Sequence, residues 1–207
     1  MIAIVDYKAG NLTSVRLALA SLGVEGEVTS RAEDIQRAER VIFPGVGAAG
    51  AAMRSLEELG LRETLRRVVA GGTPFLGICL GTQIIFDRSE EDGGVAGVGI
   101  VPGTVRLFRP SDPAVKVPQI GWNAVKRLRE HPVFAGIEDE SEFYFVHSYY
   151  PAPSDRADVI GETEYADVRF ASVVGSRNLV ATQFHPEKSG RIGLRLLANF
   201  ARWDGTC

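Results

Sequence analysis

Cys79 stands between two glycines, Gly77 and Gly81, where one apolar run, Phe75 to Ile78, gives way to another, Leu80 to Phe86. The first run has the length of a buried strand, and the second suits a helix. Strand, Gly-x-Cys-x-Gly and helix together make a nucleophile elbow with sulfur as the nucleophile. The turn is sharp enough for flanking side chains to collide, hence a glycine on each side. It would lift the sulfur out of a sheet at the start of a helix. The positive dipole end and unpaired N–H groups there favour thiolate, the reactive form. The Leu80 N–H, next along the chain, could face an oxyanion. A lone cysteine is more often a small buried hydrophobe. The glycine pair and the strand–helix context tip this one towards catalysis.

A thiolate nucleophile needs a partner base, and the chain has three histidines. His131 precedes Pro132 in a polar stretch and reads as a loop residue. His147 ends a strand within Phe-Val-His-Ser-Tyr-Tyr, with no acid close by in sequence. His185 follows the apolar run Leu179 to Phe184, and Glu187 lies two residues on. In extended backbone those two side chains leave on the same side. Glu187 would orient the imidazole and favour its protonated form. A Cys-His-Glu set is triad logic in another chain order. On this chemistry His185 ranks ahead of His147, which stays as the alternative.

A second glycine-rich segment, Pro44-Gly45-Val46-Gly47-Ala48-Ala49-Gly50, comes after the run Val41 to Phe43. It contains Gly-x-Gly-x-x-Gly, the dinucleotide fingerprint. That reading is weak, because the fingerprint belongs after the first strand of its βαβ unit and needs an acid at the next strand end. The alternative is a flexible loop beside the elbow whose N–H at Val46 or Gly47 completes an oxyanion hole. With glycines on both sides, the Val46 peptide plane could rotate and gate the site.

These groups need a scaffold that brings strand ends together. Ile2 to Val5 reads as a strand, broken by Asp6-Tyr-Lys-Ala-Gly-Asn11. Leu12, Val15, Leu19 and Leu22 recur at helical spacing, with Asn11 as N-cap and Gly23 past the end. Val24 to Thr29 is a second strand, Ala32 to Glu39 a polar helix and Val41 to Phe43 a third strand. The β-α-β-α-β rhythm predicts a doubly wound, mostly parallel α/β sheet with a flavodoxin-like core. Ligands then bind beyond the carboxyl ends of the strands, where Asp6, Pro44 and Cys79 would lie. Helical spacing resumes through Met53, Leu56 and Leu59, and Arg62 to Ala70 is a further helix. Ser89 to Gly99, acidic and glycine-rich, reads as a surface loop. In the second half, Thr104–Phe108, Ile120–Val125, Phe143–Val146, Val159–Glu162, Phe170–Val174 and Leu179–Phe184 are strand candidates. They are expected to extend the parallel sheet with antiparallel strands, with a hairpin turn at Gly175-Ser-Arg-Asn178. A last helix carries Ile192, Leu196, Phe200 and Trp203 on one face, with Ser189 as its cap.

Composition is consistent with one domain, residues 1–207. Hydrophobic residues make up 45% and charged residues 24%, with a net charge of −3. Nothing suggests a nucleic-acid surface, and no apolar run has membrane-spanning length. The N-terminus enters a strand without the basic region of a signal peptide. With two cysteines, Cys79 and Cys207, a structural disulfide would bury the elbow sulfur, so a reducing cytoplasm is expected.

Gly77-Ile-Cys-Leu-Gly-Thr-Gln83 together with Phe184-His-Pro-Glu187 resembles the class I (triad) glutamine amidotransferases. Asp6-Tyr-Lys-Ala-Gly-Asn-Leu-Thr-Ser-Val15, Pro44-Gly-Val-Gly47, Pro118-Gln-Ile-Gly-Trp-Asn123, Tyr144-Phe-Val-His-Ser-Tyr-Tyr150 and His185-Pro-Glu-Lys-Ser189 narrow the resemblance. Within that family they are similar to the glutaminase subunits of imidazole glycerol phosphate synthase. The resemblance implies that Cys79 attacks the L-glutamine side-chain amide, His185 moves the protons and Glu187 orients His185. It implies that Gln83 helps to hold glutamine, while Gly45, Val46, Gly47 and Leu80 are expected, on the elbow and loop reasoning above, to form the oxyanion hole and its gate. Asn11, Trp122, Tyr144, His147 and Lys188 match positions at or near the synthase interface. The implied partner is a (βα)8-barrel cyclase subunit in a heterodimer, fed with ammonia through a channel. No cofactor and no metal is implied. Gln119 stands where the family commonly has His, and Lys8 where Gly is frequent; both departures are expected to bear on the interface. Competing readings are the glutaminase of another synthase, such as that of pyridoxal phosphate synthesis, a stand-alone cysteine hydrolase of related fold, and a non-catalytic interaction module.

Overall fold

The structure, a computed structural model, describes residues 1–8 and 10–206. Ala9 and Cys207 lie outside the described residues. In the first half the elements are β1 (Ile2–Val5), α1 (Leu12–Ser21), β2 (Gly26–Thr29), α2 (Ala32–Arg37), β3 (Arg40–Gly45), α3 (Ala49–Glu58), α4 (Leu61–Ala70), β4 (Phe75–Cys79) and α5 (Leu80–Ile84). The second half has β5 (Phe86–Ser89), β6 (Val95–Ala96), β7 (Val101–Leu107), β8 (Gln119–Ala124), β9 (Lys126–Arg127), β10 (Glu142–His147), β11 (Tyr149–Pro153), β12 (Val159–Tyr165), β13 (Val168–Ser176), β14 (Leu179–Thr182) and α6 (Gly190–Phe200).

The main sheet runs β2-β1-β3-β4-β14-β13-β12-β9. Its first five strands are parallel, in the order of a flavodoxin-like core. Parallel strands covered on both faces read as continuous apolar runs, and β1 and β4 are buried at every position. On one face Val41, Phe43 and Phe75 meet Ile35 of α2, Leu56 of α3 and Leu65 of α4. On the other, Ile42, Leu76 and Ile78 meet Leu19 of α1 and Leu196 and Phe200 of α6. Both helical layers cover apolar strand faces, and that burial is what holds the strand ends in fixed positions.

The antiparallel extension is narrower than the sequence suggests. Only β13, β12 and β9 continue the main sheet. The expected strand at Thr104–Phe108 falls in β7, within a separate sheet of order β11-β7-β5-β6, and β8 pairs with β10 alone. The apolar run Leu80–Phe86 is divided as well: α5 stops at Ile84, and Phe86 opens β5. Pairing of β5 with β7 overrides whatever helix preference the run has. A five-residue helix weakens the dipole argument made for the sulfur. The hairpin at Gly175–Asn178 forms, with Ser176 opposite Leu179.

The acidic segment after β5 is more than a surface loop. Glu91 and Asp92 turn back to accept from the N–H groups of Ala49 (2.8 Å) and Gly50 (3.1 Å), satisfying free donors at the start of α3. Two expected caps do other work. Asn11 and Ser189 occupy N-cap positions of α1 and α6, yet neither side chain caps its helix. Ser189 Oγ donates to the His185 carbonyl (2.7 Å) and accepts from the Tyr144 N–H (3.0 Å). His131 lies in a loop as expected, but buried against Trp203, and burial pushes its imidazole down to about 4.

Candidate active site

The elbow forms between β4 and α5. Cys79 has φ 53° and ψ −108°, a strained conformation for a residue with a side chain. Such strain persists only where the surroundings over-determine it, and both glycines are such surroundings. A Cβ on Gly81 would stand 1.8 Å from the Phe43 carbonyl oxygen, and one on Gly77 2.9 Å from Ala181 Cβ. The backbone of β3 therefore presses directly on the turn. In register, Gly45 of β3 lies beside Cys79, and Thr182 of β14 beside Ile78. The glycine loop after β3 and His185 after β14 consequently emerge next to the sulfur.

His185 is fully buried, and its Nδ1 lies 2.7 Å from Glu187 Oε1. The Glu187 side chain has no exposure, and the same Oε1 accepts from Asn11 Nδ2 at 2.5 Å. Burial pushes the His185 imidazole towards neutrality. Attraction to Cys79 and contacts with Cys79 and Glu187 overcome that and carry it up to about 10. By distance, His185 Nε2 has no hydrogen-bond partner. Sulfur and imidazole therefore face each other across a gap that a substrate amide could enter, with no bond formed between them; such contacts often tighten only once substrate binds.

His147, the alternative base, also lines the cavity, but its environment is opposite. Its Nδ1 lies 2.7 Å from the Tyr149 carbonyl, and no carboxylate contacts it. Burial, with the charge of His185 adding to it, pushes it down to about 4 despite that carbonyl. It is a neutral imidazole in the wall, not a group on an outer face. Asn11 likewise reaches inward to Glu187. Trp122 is half exposed and meets Tyr144 edge-on at 6.0 Å, while Lys188 is exposed at the cavity rim.

The cavity holds about 390 Å³ and is lined by Val46, Gly47, Cys79, Leu80, Gln83, Glu91, Pro118, Val146, His147, Ser148, Tyr149, His185 and Lys188. Gly45 is part of β3 and is clamped: a Cβ there would meet Tyr7 Oη at 1.9 Å. Freedom to turn belongs to the next two residues, Val46 and Gly47, with Gly47 at φ 99°. Gln119, one of the two departures, has no exposure and pairs with Asn123 (2.7 Å), so it bears on the interior and not on an outer face. Lys8 sits at φ 66°, where glycine is easier, and reaches Glu58 at 3.2 Å.

A family model for "Glutamine amidotransferase class-I" matches residues 3–202. The chain belongs to the class-I glutamine amidotransferases. Among similar class-I chains is the imidazole glycerol phosphate synthase subunit HisH of Nitratidesulfovibrio vulgaris, 54% identical over 98% of this chain and 96% of its own. The subunit of the same name from Chloroflexus aurantiacus is 50% identical over 99% and 96%, and that from Methanocaldococcus jannaschii 46% over 97% and 98%. Among solved structures, PurLQS of Thermotoga maritima matches with TM-score 0.74 over 97% of each chain at 15% identity. A crystal structure of glutamine amidotransferase matches with TM-score 0.73 over all of both chains at 18% identity. These two likenesses speak to the fold, which is that of the class-I amidotransferases.

Two groups at this amidotransferase site escape the sequence motifs. Glu91 sits in the wall, where burial raises its carboxyl and the Ala49 N–H holds it down. Gln183, wholly buried, donates from Nε2 to Cys79 Sγ at 3.7 Å. Gln83 is in the wall as expected, but both its amide hydrogens are spoken for, by the Tyr149 carbonyl (2.9 Å) and Gln183 Oε1 (3.1 Å).

Proposed function

We propose that this chain is the glutaminase subunit of an imidazole glycerol phosphate synthase, acting in histidine biosynthesis. The observation that carries the chemistry is the strained elbow sulfur facing a buried imidazole held by Glu187. The observation that carries the subunit assignment is the identity of 46–54% to HisH subunits over nearly the full chain.

In this reading Cys79 Sγ attacks the δ-carbon of glutamine. Negative charge develops on the amide oxygen, to be met by the Leu80 N–H and by an N–H of the Val46–Gly47 segment. His185 Nε2 gives its proton to the departing nitrogen, the C–N bond breaks, and ammonia leaves a γ-glutamyl thioester. The now neutral imidazole takes a proton from water, hydroxide adds to the thioester, and the C–S bond breaks to give glutamate and the thiolate. Glu187 holds Nδ1 throughout, and Asn11 holds Glu187. Gln83 has only Oε1 left to offer, an acceptor; with the Glu91 carboxylate in the same wall it suits the α-ammonium of glutamine. The dinucleotide reading of the glycine loop has no support in this geometry, since Gly45 is filled against by Tyr7.

The partner is a (βα)8-barrel cyclase, bound as a heterodimer over the cavity mouth. Ile120 and Trp122, 63% and 51% exposed, and the rim cation Lys188 support that placement. Rotation of the Val46 peptide on docking would complete the oxyanion hole and spare glutamine when no acceptor is present. The test is reconstitution with such a barrel subunit. Glutamine should drive imidazole glycerol phosphate formation only when both chains are present, and the glutaminase rate should rise when the partner and its nucleotide ligand are added. Equal rates for the chain alone and in the full mixture would remove the gate. No association with the barrel would remove the subunit assignment.

A further inference from the structure

Gln183 ends in contact with the nucleophile although it belongs to neither the elbow nor the triad. It is the residue just past β14, with no exposure, and its side chain reaches the sulfur. Which way round its amide sits decides what it does. A nitrogen towards Sγ would stabilise thiolate, whereas an oxygen would oppose it. The arrangement has one unambiguous end, the backbone carbonyl of Tyr149, which can only accept. The Gln83 atom 2.9 Å from it must therefore be Nε2. That same Nε2 lies 3.1 Å from Gln183, so the facing atom there must be Oε1. The remaining Gln183 atom, 3.7 Å from Cys79 Sγ, is then Nε2, a donor. The orientation is passed from main chain to Gln83, to Gln183, to sulfur, with no free choice at any step. On its other side Sγ lies 4.0 Å from the Val146 carbonyl, which can accept from a thiol but offers nothing to a thiolate.

We propose that Gln183 is a positioning residue for the glutaminase reaction: an amide relay anchored on the Tyr149 carbonyl aims its N–H at Cys79 and stabilises the thiolate. The same donor meets the thiolate that is expelled when the thioester is hydrolysed. The inference rests on the glutaminase reading, but its test does not, because alkylation reports on the sulfur without glutamine turnover.

Two variants separate a donor from a filler. Gln183→Met keeps length and bulk but has neither donor nor acceptor. Gln183→Glu keeps the acceptor for Gln83 and the shape, but its carboxylate turns an oxygen to the sulfur. The measurement is the rate at which iodoacetamide modifies Cys79 in the full chain from pH 7 to 9, read at the Cys79 peptide so that Cys207 does not count. Hydrogen bonds to charged groups are strong enough for the Met variant to lose about tenfold or more in that rate. Gln183→Glu should lose more than Gln183→Met, and the glutaminase kcat should fall in the same order with KM little changed. If Gln183 merely supports Gln83, Gln183→Met reacts with iodoacetamide at the native rate across the pH range, and its loss appears in KM. That outcome overturns the proposal. Should Gln183→Met fold poorly, Gln183→Leu, likewise without donor or acceptor, takes its place in the same measurement.

Discussion

Two walls meet across the cavity, and they are built on opposite terms. One is the carboxyl edge of β3, β4 and β14, whose apolar cores are covered on both faces. It carries the sulfur and the charged imidazole on backbone that cannot move far, and at its end the freer Val46–Gly47 segment proposed as the gate. The other is the β8–β10 ribbon with the Ser148–Tyr149 segment after it. Its strands alternate, so Phe143 and Phe145 are buried while Ile120 and Trp122 stand outward. It supplies a neutral histidine, a main-chain anchor for the Gln83–Gln183 relay and an apolar face. Charge that must be placed to within a fraction of an ångström rises from the doubly covered sheet. Two large apolar side chains left exposed, Ile120 and Trp122, sit on the singly covered ribbon.

The largest way to break this contrast is at the sulfur. Cys79→Ala should lower glutamine-dependent synthesis in the reconstituted complex by at least about 10³-fold, since nothing else supplies the nucleophile. Synthesis from added ammonia should continue, because in the proposed complex that chemistry belongs to the barrel subunit. Loss of both would place the defect in folding or docking.

The packing behind the elbow comes next. Gly81→Ala drives a methyl group to 1.8 Å from the Phe43 carbonyl oxygen, a backbone atom that cannot yield without moving β3. We expect a loss of roughly 3 kcal/mol or more, seen as a lowered urea midpoint. A midpoint within error of the native chain would mean that the strand edge is softer than described.

Glu187→Gln sharpens the electrostatic half of the contrast. It should lower glutaminase kcat by on the order of 10²-fold, the lower range for a mispositioned acid–base group. It should also change how stability varies with pH. His185 is held up to about 10 in the fold, against an ordinary value of 6.5. The stabilisation it gives is therefore complete below 6.5 and is lost as pH rises through about 10. Between those limits the native chain should lose melting temperature more steeply than Glu187→Gln. Parallel curves would contradict Glu187's share in holding that charge.

On the other wall the effect should be small for the fold and visible only with a partner. Trp122→Ala removes a half-exposed ring and should change stability by less than about 0.5 kcal/mol. It should weaken association with the barrel subunit by roughly 2 kcal/mol, as a central aromatic anchor does. Titration calorimetry with unchanged affinity would move the docking face elsewhere.

The wall that was legible in the sequence is the one built from local signals. An apolar run, a glycine pair and a helix-like continuation mark the elbow, and a two-residue spacing marks His185 with Glu187. The groups that stayed hidden depend on contacts between distant segments. Asn11 reads as a helix cap, yet its side chain finds Glu187 from 176 residues away. Glu91 reads as part of a solvated acidic loop, and only the turn back onto α3 brings it to the cavity. Gln183 falls inside the expected strand Leu179–Phe184, and nothing but its place just before Phe184-His185 sets it apart. The division of the second half into three sheets is also absent from the pattern, because alternation tells which face of a strand is buried but not which strand lies beside it.

The central claim is that Cys79 forms a γ-glutamyl thioester beside a charged His185. The most direct measurement is covalent trapping with an electrophilic diazoketone analogue of glutamine, then peptide mass spectrometry. We predict one adduct per chain, on Cys79, slowed by glutamine and lost in Cys79→Ala. An adduct on Cys207 instead, or a chain that hydrolyses glutamine while Cys79 stays unmodified, would contradict it.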